Sequence, residues 1–373
     1  MHKFTRLYRI DGWLLIIIGA LVFIGTIMVF SSSVIMAEIR WQAPYSFFIK
    51  QIMWVIIGSF ALIFMSQYDY KNIQKFARIL LILSIICLIA VLLIGSEKGG
   101  AKRWFRFGFM SFQPSELAKI AVIIALADYF DRKKSKINKI SGILPVFPMI
   151  FLPVGLIFIE PDLGIPIIIV TVGFLLMYAA GAKFSHVFGS FIIFIPVVIF
   201  EVLRKPYRLE RLKHFFSSWS GIESTTYQIS QSIMALGSGG FWGKGLAASQ
   251  MKLFHLPEPH TDFIFPIIGE ELGFIGTSFL IFLFMVFAWR GYLISKNSQD
   301  FFGALLALGI TWLIVFQAFF NIGVAVGILP AKGLPLPFVS FGGTSLLLNL
   351  ACVGILLNIS KQSNNINLIA LKR

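Results

Sequence analysis

The sequence is poor in charged residues, in acids and in cysteine. Only 13% of its 373 residues are charged, whereas a soluble domain carries roughly a quarter. Aspartate and glutamate together number 17. The two cysteines, Cys87 and Cys352, both lie inside apolar stretches, so we expect neither a disulfide nor a cysteine metal site. No GxGxxG or P-loop pattern is present, which removes the glycine-rich nucleotide-binding motifs from consideration.

Hydrophobic residues make up 57% of the chain and occur in runs long enough to cross a bilayer as helices. The pattern predicts an all-α membrane protein, a polytopic bundle of about ten transmembrane helices that forms a single integral membrane domain over residues 1–373. The first run is too long for a signal-peptide core and is interpreted as a retained span. The predicted spans are residues 13–34, 47–66, 77–94, 115–130, 142–159, 164–180, 186–203, 263–289, 301–325 and 341–359.

The positions of lysine and arginine predict the orientation, because cytoplasmic loops carry an excess of these residues. With the N-terminus inside, 17 of the 32 basic residues fall on the inner side and 15 on the outer side. Seven of those 15 lie in one long loop, which reports topology poorly, and without it the counts are 17 and 8. Both termini are therefore expected in the cytoplasm. The lysine-rich stretch at 132–139 is interpreted as a cytoplasmic anchor and not as a nucleic-acid site.

Three segments on the predicted outer side are more than simple turns. They are residues 95–114, the large loop of about 204–262 between spans 7 and 8, and residues 327–343. The large loop includes a predicted amphipathic helix that begins at Ser224 and has apolar residues at helical spacing. The third segment contains three prolines and several glycines, which exclude a regular helix. A site built from these segments would open outward.

An acid, a histidine and a second acid occur at alternate positions just before the eighth span. They are Glu258, His260 and Asp262. Asp262 or Thr261 can cap the following helix, which stabilises a helix by about 1 kcal/mol. The alternative is that Asp262, held at the hydrocarbon boundary, acts as a general base. Capping needs one such side chain and not three, which favours function. A carboxylate is also a ligand for divalent cations such as Mg²⁺ or Mn²⁺, although the spacing is not a zinc signature.

Glu116 and Lys119 are three residues apart, after a proline at a predicted helix start. This spacing puts both side chains on one helix face, where burial of either charge alone is costly, so an ion pair is expected. A structural role and a role in a polar cavity are equally compatible with the pattern.

Three basic residues are candidates for binding an anion. Arg103 follows a glycine and precedes a tryptophan, Lys332 lies in the proline-rich third segment, and Arg208 follows Pro206-Tyr207. Arginine binds phosphate in a bidentate manner, although arginine beside tryptophan also anchors proteins at interfaces. The motif Glu160-Pro-Asp162 is interpreted as a turn in which the aspartate caps the next helix. Glu270 and Glu271, two turns into the eighth span, should face the bundle interior.

Seven segments of this sequence resemble the SEDS family (shape, elongation, division and sporulation), and the division members most closely. They keep the family's order and read GAKRWFRFG, FQPSELAK, EPDLG, PYRLERLKHF, YQISQS, LPEPHTDFIFPIIGEELG and NIGVAVGILPAKGLPLPFVSFGG. The resemblance implies a peptidoglycan glycosyltransferase that polymerises lipid II into β-1,4 glycan strands on the outer face of the bacterial cytoplasmic membrane.

The resemblance also implies roles for particular residues. Asp262 matches the family's essential acid and is expected to be catalytic. Glu116 and Lys119 match its supporting ion pair. Arg103 and Lys332 match basic residues of its cavity, and Arg208 extends that set toward a pyrophosphate. The implied partners are lipid II, membrane lipid, a class B penicillin-binding protein and other division membrane proteins, with no nucleic acid.

Two other functions remain open from the residues alone. Polytopic form, proline-broken segments and buried charges are also typical of transporters, so a lipid II flippase is one alternative. A non-catalytic scaffold for division proteins is the other. A transporter would place polar residues near the bilayer midplane in both halves, whereas here they crowd the predicted outer side.

Overall fold

The computed structural model describes residues 11–98, 101–108, 110–204, 206–219, 227–252, 256, 259–330 and 332–370. Its described part is a helical bundle with one small sheet. The helices are α1 (Gly12–Trp41), α2 (Ser46–Gln67), α3 (Tyr70–Lys75), α4 (Ala77–Ile94), α5 (Pro114–Arg132), α6 (Ile140–Ile143), α7 (Val146–Ile159), α8 (Gly164–Ala179), α9 (Phe184–Leu203), α10 (Pro206–Trp219), α11 (Tyr227–Ser238), α12 (Ile264–Lys296), α13 (Phe301–Ala325) and α14 (Gly343–Ala370). A short 3₁₀ turn at Lys134–Lys136 follows α5.

Each of the ten predicted spans coincides with a helix. Within the described chain, seven helices are long and apolar enough to cross a membrane: α1, α2, α4, α9, α12, α13 and the first 21 residues of α14. Two more, α7 and α8, are apolar but shorter. The polytopic helical class is confirmed, and large apolar side chains such as Phe23 and Phe60 face outward, as expected of a protein in lipid.

Helices α5, α13 and α14, each of which carries buried polar side chains, form the core of the bundle. In α13 and α14, 72% and 78% of the most apolar stretch is buried, against 17% in α2 and in α9. Helix α5 is buried along most of its length, including Glu116, Lys119 and Asp128. A polar side chain in a span is costly in contact with lipid, so these helices are internal.

The segment between α4 and α5 adds β-structure to the predicted all-α fold. Strands β1 (Ser96–Lys98), β2 (Ala101–Phe107) and β3 (Met110–Phe112) form a three-stranded antiparallel sheet in the order β1-β2-β3. The side chain of Thr344 at the start of α14 donates to the Ser111 carbonyl at 2.6 Å, which attaches the sheet to the bundle. Strands satisfy the backbone hydrogen bonds of an aromatic, basic segment that lies over the helix ends.

Helix α12 is interrupted at Gly273, where φ is 67° and ψ is −164°. The break frees backbone N–H groups, and the loop after α11 accepts from them: Phe274 N donates to the Gly240 carbonyl at 2.9 Å. A Cβ at Gly273 would collide with the backbone of that loop, so glycine permits both the conformation and the close approach. The preceding loop is thereby fastened to the first turns of α12.

Two predicted outer elements have the expected character. Helix α11 packs on α12 and α13, and Ser232 donates to the Ala325 carbonyl at 2.6 Å. The predicted start of this helix at Ser224 lies outside the described residues.

The described residues of 327–343 are not helical before Gly343. Their apolar side chains, including Leu334, Leu336 and Val339, are buried, so this loop dips into the bundle. The bundle end that carries this loop, the sheet and the α7–α8 turn is called the loop end.

Candidate active site

Asp262 lies at the loop end, two residues before α12. Helix α12 begins at Ile264 with Phe263 in the N-cap position. The N-cap residue is therefore neither Asp262 nor Thr261, the two residues predicted for it. Its side chain is partly exposed, unlike the buried Phe263 and Ile264 that follow it. Glu258, the first acid of the predicted set, lies outside the described residues.

The backbone around Asp262 is clamped to the dipping loop. Asn321 of α13 donates from one amide nitrogen to the Asp262 carbonyl at 2.8 Å and to the Leu334 carbonyl at 2.6 Å. One residue earlier, Ser340 donates to the Thr261 carbonyl at 2.5 Å. The His260 carbonyl accepts from Phe341 N at 2.9 Å. These bonds fix the position of the acid relative to residues 327–343.

The Asp262 carboxylate rests directly against Gly333 of that loop. A Cβ built on Gly333 would clash with Oδ2 of Asp262 and come within 3.0 Å of its Cγ. A glycine is therefore required for the carboxylate to keep its present position. The next residue toward the N-terminus is Lys332, so the backbone of a predicted cavity lysine adjoins the loop position that contacts the predicted acid.

The predicted ion pair between Glu116 and Lys119 is present and buried. Lys119 Nζ is 2.9 Å from Glu116 Oε1, with side-chain exposures of 2% and 4%. Lys119 also donates to Gln317 Oε1 of α13 at 2.8 Å. Gln317 donates in turn to the Pro335 carbonyl at 2.8 Å. The ion pair is thus connected to the dipping loop through the amide side chain of Gln317.

Replacing Lys119 with methionine is expected to lower the free energy of unfolding by about 3–5 kcal/mol, because it leaves the Glu116 carboxylate buried without its cation. The double variant Glu116→Gln/Lys119→Met should recover part of that loss, since it removes the stranded charge. Thermal unfolding of the purified protein measures both. Equal stability of the single and double variants would show that the pair is not coupled in this way.

Lys332 reaches across the loop end to the turn between α7 and α8. Its Nζ is 2.9 Å from Asp162 Oδ1. Asp162 also accepts from Gly164 N at 2.8 Å, which confirms its predicted capping of α8. Burial works to raise the pKa of Asp162, but the Lys332 ammonium, the Arg103 guanidinium and the hydrogen bonds it accepts hold that pKa below its usual range. The capping residue is therefore also the partner of a predicted cavity lysine.

Arg103 of β2 is held by the backbone of the same turn. Its Nε donates to the Glu160 carbonyl at 2.7 Å, and one terminal nitrogen donates to the Pro161 carbonyl at 2.9 Å. Arg103 and Lys332, which are far apart in sequence, thus meet at one three-residue turn. The Glu160 side chain is 1% exposed, and neither carboxyl oxygen has a hydrogen-bond partner among the described residues. Burial, together with the Asp162 charge, raises the pKa of Glu160 to about 8.

Arg208 is bound to Glu201 at the end of α9. Its guanidinium is buried on α10 and donates to the carbonyl and the carboxylate of Glu201, each at 2.9 Å. These contacts join the end of α9 to the start of α10. A role for Arg208 in binding an anion rests on the resemblance and stays a prediction.

Glu270 and Glu271 face the interior, as predicted, and hold the segment that precedes the acid. Glu270 is within 2.8 Å of Lys244 and accepts from Ser249 at 2.5 Å. Glu271 is 2.8 Å from Lys252, which is itself 2% exposed, and accepts from Ser31 of α1. Each of the two carboxylates therefore has a lysine partner inside the protein. These ion pairs hold residues 244–252 against α12.

The described residues contain no group of three histidine, cysteine, aspartate or glutamate side chains able to hold a metal ion. Asp262 contributes one carboxylate at the edge of the site. Magnesium commonly binds through one or two carboxylates and the phosphates of a substrate, while keeping several waters. Among the described residues, this single carboxylate therefore suits a cation that arrives with a phosphorylated substrate.

Sequence reasoning missed the two amides that join these parts. Gln317 and Asn321 are four residues apart in α13 and bind four backbone or side-chain groups of the site. The available signal was their spacing: two amides one turn apart in an apolar run share a face that must avoid lipid. Gly333 gave no such signal, since glycines are frequent throughout the segment.

Comparison with known proteins shows extensive similarity to one family. The family of cell cycle proteins that includes FtsW, RodA and SpoVE matches residues 12–365. A probable peptidoglycan glycosyltransferase FtsW of Trichlorobacter lovleyi is 39% identical over 96% of this chain and 95% of its own length. Stage V sporulation protein E of Bacillus subtilis is 37% identical over 95% of this chain and 97% of its own length.

Two solved structures share the fold. A chain from a peptidoglycan synthase complex, described as coordinating polymerization and crosslinking, has a TM-score of 0.78 at 24% identity and covers 95% of this chain and 98% of its own. The rod shape determining protein RodA of Thermus thermophilus has a TM-score of 0.69 at 24% identity, over 95% and 97% of the two chains. The extent of these matches, over nearly the whole of both sequences, shows that this chain belongs to the FtsW/RodA/SpoVE family of cell cycle proteins.

Proposed function

We propose that this protein is a peptidoglycan glycosyltransferase that polymerises lipid II into β-1,4 glycan strands during septal wall synthesis. The observation that carries the proposal is the loop-end site: one carboxylate, Asp262, clamped against a loop whose lysine joins an arginine at the α7–α8 turn. An acid that lies against a loop carrying a fixed cation suits a reaction that removes a proton and releases a pyrophosphate. The names of its relatives support the same activity.

Asp262 acts as the general base in this proposal. It takes the proton from the sugar hydroxyl of the acceptor lipid II, a step that contributes about 10²–10⁴ to the rate. The oxygen then attacks the anomeric carbon of the donor strand, and the bond to undecaprenyl pyrophosphate breaks. A single displacement converts the α-linked donor into a β-1,4 product. The hydrogen bonds from Asn321 and Ser340 hold the backbone at Asp262 and Thr261, and so fix the point from which the carboxylate extends.

Arg103 and Lys332 stabilise the leaving pyrophosphate, which needs neutralisation of charge and little protonation. Both are positioned before substrate arrives, by the turn carbonyls and by Asp162. Arg208 is proposed to extend this set from α10. A divalent cation, Mg²⁺ or Mn²⁺, held by Asp262 and the pyrophosphate oxygens, would supply further neutralisation when bound.

The loop end faces the cell exterior in this proposal, and both termini lie in the cytoplasm. The distribution of lysine and arginine outside the long loop supports this orientation in the bacterial cytoplasmic membrane. A cysteine placed at exposed Glu97 of β1 should react with a membrane-impermeant thiol reagent in intact spheroplasts. A cysteine at exposed Lys296, at the other end of α12, should react only after lysis.

The proposed partner is a single-pass class B penicillin-binding protein that crosslinks the strands, within a larger set of division membrane proteins. An apolar groove between the second part of α12 and α13 suits its transmembrane helix. The groove has a volume of about 380 Å³ and is lined by Met285, Ala288, Trp289, Tyr292, Leu308, Thr311, Trp312, Val315 and Phe319. Two exposed tryptophans beside a cavity offer large area and good van der Waals packing to a helix in lipid.

Replacing Trp312 with alanine is expected to weaken association with the partner by about tenfold or more, as for a central aromatic anchor. Association is measured by fluorescence transfer between labelled proteins in nanodiscs. Phe60→Ala, which removes an exposed aromatic residue from α2, is the matched control and should leave association unchanged. Equal affinities for both variants would place the partner on another face.

Purified protein with labelled lipid II, with and without the partner, tests the activity itself. Strand products on a gel support the glycosyltransferase. Translocation of lipid II across a vesicle membrane without product would instead support a flippase. If this protein gave neither strand products nor translocation, and only the partner formed strands, this protein would be a non-catalytic scaffold.

A further inference from the structure

Glu160 is a buried acid for which the mechanism above has no use. It lies in the turn between α7 and α8, outside both helices, and its side chain is 1% exposed. Neither carboxyl oxygen has a hydrogen-bond partner among the described residues. An ionised carboxylate in such a place is costly, so the group is expected to hold a proton.

The charged groups around Glu160 come from three parts of the chain. Asp162 belongs to the same turn, Arg103 comes from β2, and Lys332 reaches Asp162 from the dipping loop. Arg103 uses the backbone carbonyls of Glu160 and Pro161, so the carboxyl group is beside the guanidinium without neutralising it through a hydrogen bond.

The helices that pack beside α7 add little charge near this turn. Helices α7 and α8 have no aspartate, glutamate, lysine or arginine. Helix α4 has Arg78 in its first turn, at the opposite end of the bundle. Helix α5 presents Glu116 and Lys119 at its loop end, already paired with each other, and its other charges lie toward its far end. The charge balance at the turn itself is therefore set by Arg103, Lys332, Asp162 and Glu160.

We propose that Glu160 sets the net charge of the pyrophosphate-binding side of this site, and so acts as a proton-linked determinant of affinity for the lipid-linked substrate. With Glu160 protonated, two cations face one carboxylate, and one positive charge is left for the pyrophosphate. Loss of the proton cancels that charge. This inference rests on the proposed function, because it takes the substrate to be a pyrophosphate-linked lipid.

The sign of the pH dependence follows from linkage. The raised pKa of Glu160, about 8, keeps the site cationic at neutral pH. An anion bound beside the group favours its protonated form further, so binding takes up a proton when the pH is above that value. Affinity is therefore highest below the pKa of the empty protein and falls as the pH rises through it. Glu160 is a positioning residue in this scheme, since it acts through the charge available to Arg103 and Lys332.

Equilibrium binding of lipid II to the full chain in nanodiscs tests the inference. The measurement uses the Asp262→Asn background, so that no strand forms and binding is read without turnover. Both phosphates of lipid II are substituted and strongly acidic, so the ligand itself does not titrate near pH 8. Affinity is expected to fall roughly five- to tenfold between about pH 7 and about pH 9.

Glu160→Gln should bind with the affinity of the parent at low pH and should lose this pH dependence, because the amide mimics the protonated acid. Glu97→Gln removes an exposed acid from the neighbouring sheet and should keep the parent's slope. In the active protein, Glu160→Gln should change KM at about pH 9 while leaving kcat unchanged. An equal slope in Glu160→Gln, or a flat profile in the parent, would overturn the inference while leaving the glycosyltransferase intact.

A second measurement covers the case in which Glu160→Gln does not fold. Infrared difference spectra of the parent with isotope-labelled glutamate should show a protonated carboxyl band that is lost near pH 8 and retained to higher pH with lipid II bound. A band that is absent at neutral pH contradicts the inference. Failure to bind lipid II at any pH would contradict the proposed substrate, and this inference with it.

Discussion

Replacing Asp262 with asparagine is expected to reduce strand polymerisation by about 10²–10⁴ in kcat, which is the contribution of a positioned general base. Asparagine has nearly the same shape but cannot accept the acceptor's proton. The contacts that hold this position use the backbone carbonyls of Asp262 and Thr261, so they survive the substitution. Folding, lipid II binding and association with the crosslinking partner should all remain. Single-turnover polymerisation of labelled lipid II by the purified variant measures the loss.

A matched control is Glu38→Gln, which removes one exposed negative charge near the end of α1. It should polymerise like the parent, which would show that a change in net charge alone does not matter. Polymerisation by Asp262→Asn at the parent's rate, with equal amounts of folded protein, would remove the base assignment.

The substitution Gly333→Ala is expected to reduce polymerisation by roughly 10²-fold while leaving thermal stability nearly unchanged. The added methyl group would meet Oδ2 of Asp262, which is the far end of a side chain and not a backbone atom. The end of a side chain moves aside at less cost to folding than backbone does. A base displaced by about 1 Å is poorly placed for the transition state, so the cost appears in kcat. Polymerisation rate and melting temperature, measured on the same preparation, separate the two effects.

Gly342→Ala is the control from the same loop. A Cβ at Gly342 would make only ordinary contacts, with Ser345 Cβ at 3.6 Å as its nearest neighbour. It should retain activity and stability. If both alanine variants lost the same activity, the loss would come from a general change in the flexibility of the loop. The specific contact between Gly333 and Asp262 would then not explain it.

Local features of the fold were predictable because the physics that sets them is local. Twenty-residue apolar runs identify spans, and the i, i+3 spacing of Glu116 and Lys119 predicts their ion pair. The sheet at residues 96–112 was not predicted, since its strands are short and its aromatic, basic composition also suits an interfacial loop. Its formation depends on the helix ends beneath it, including Thr344.

The long-range contacts of the site could not be predicted from spacing. Asp162 looks like a cap, and it is one, but its pairing with Lys332 joins residues far apart in the sequence. Likewise, the role of Gly333 cannot be predicted from the sequence, because it depends on the Asp262 carboxylate lying against this glycine in the folded protein. The resemblance singled out Asp262, Arg103 and Lys332, whose roles stay predictions. Arg103 and Lys332 meet at the α7–α8 turn, and the residue after Lys332 lies against Asp262. The described contacts of Arg208 are with Glu201.

The central claim is that the carboxylate of Asp262 performs the chemistry from the position that Gly333 gives it. A double-mutant cycle of Asp262→Asn and Gly333→Ala, read as single-turnover polymerisation, tests this claim directly. If Gly333→Ala acts by displacing the base, it should cause less than about a twofold further loss once the base is absent. A double variant slower than Asp262→Asn by the full effect of Gly333→Ala would show that the two residues act independently, and would contradict the proposed site.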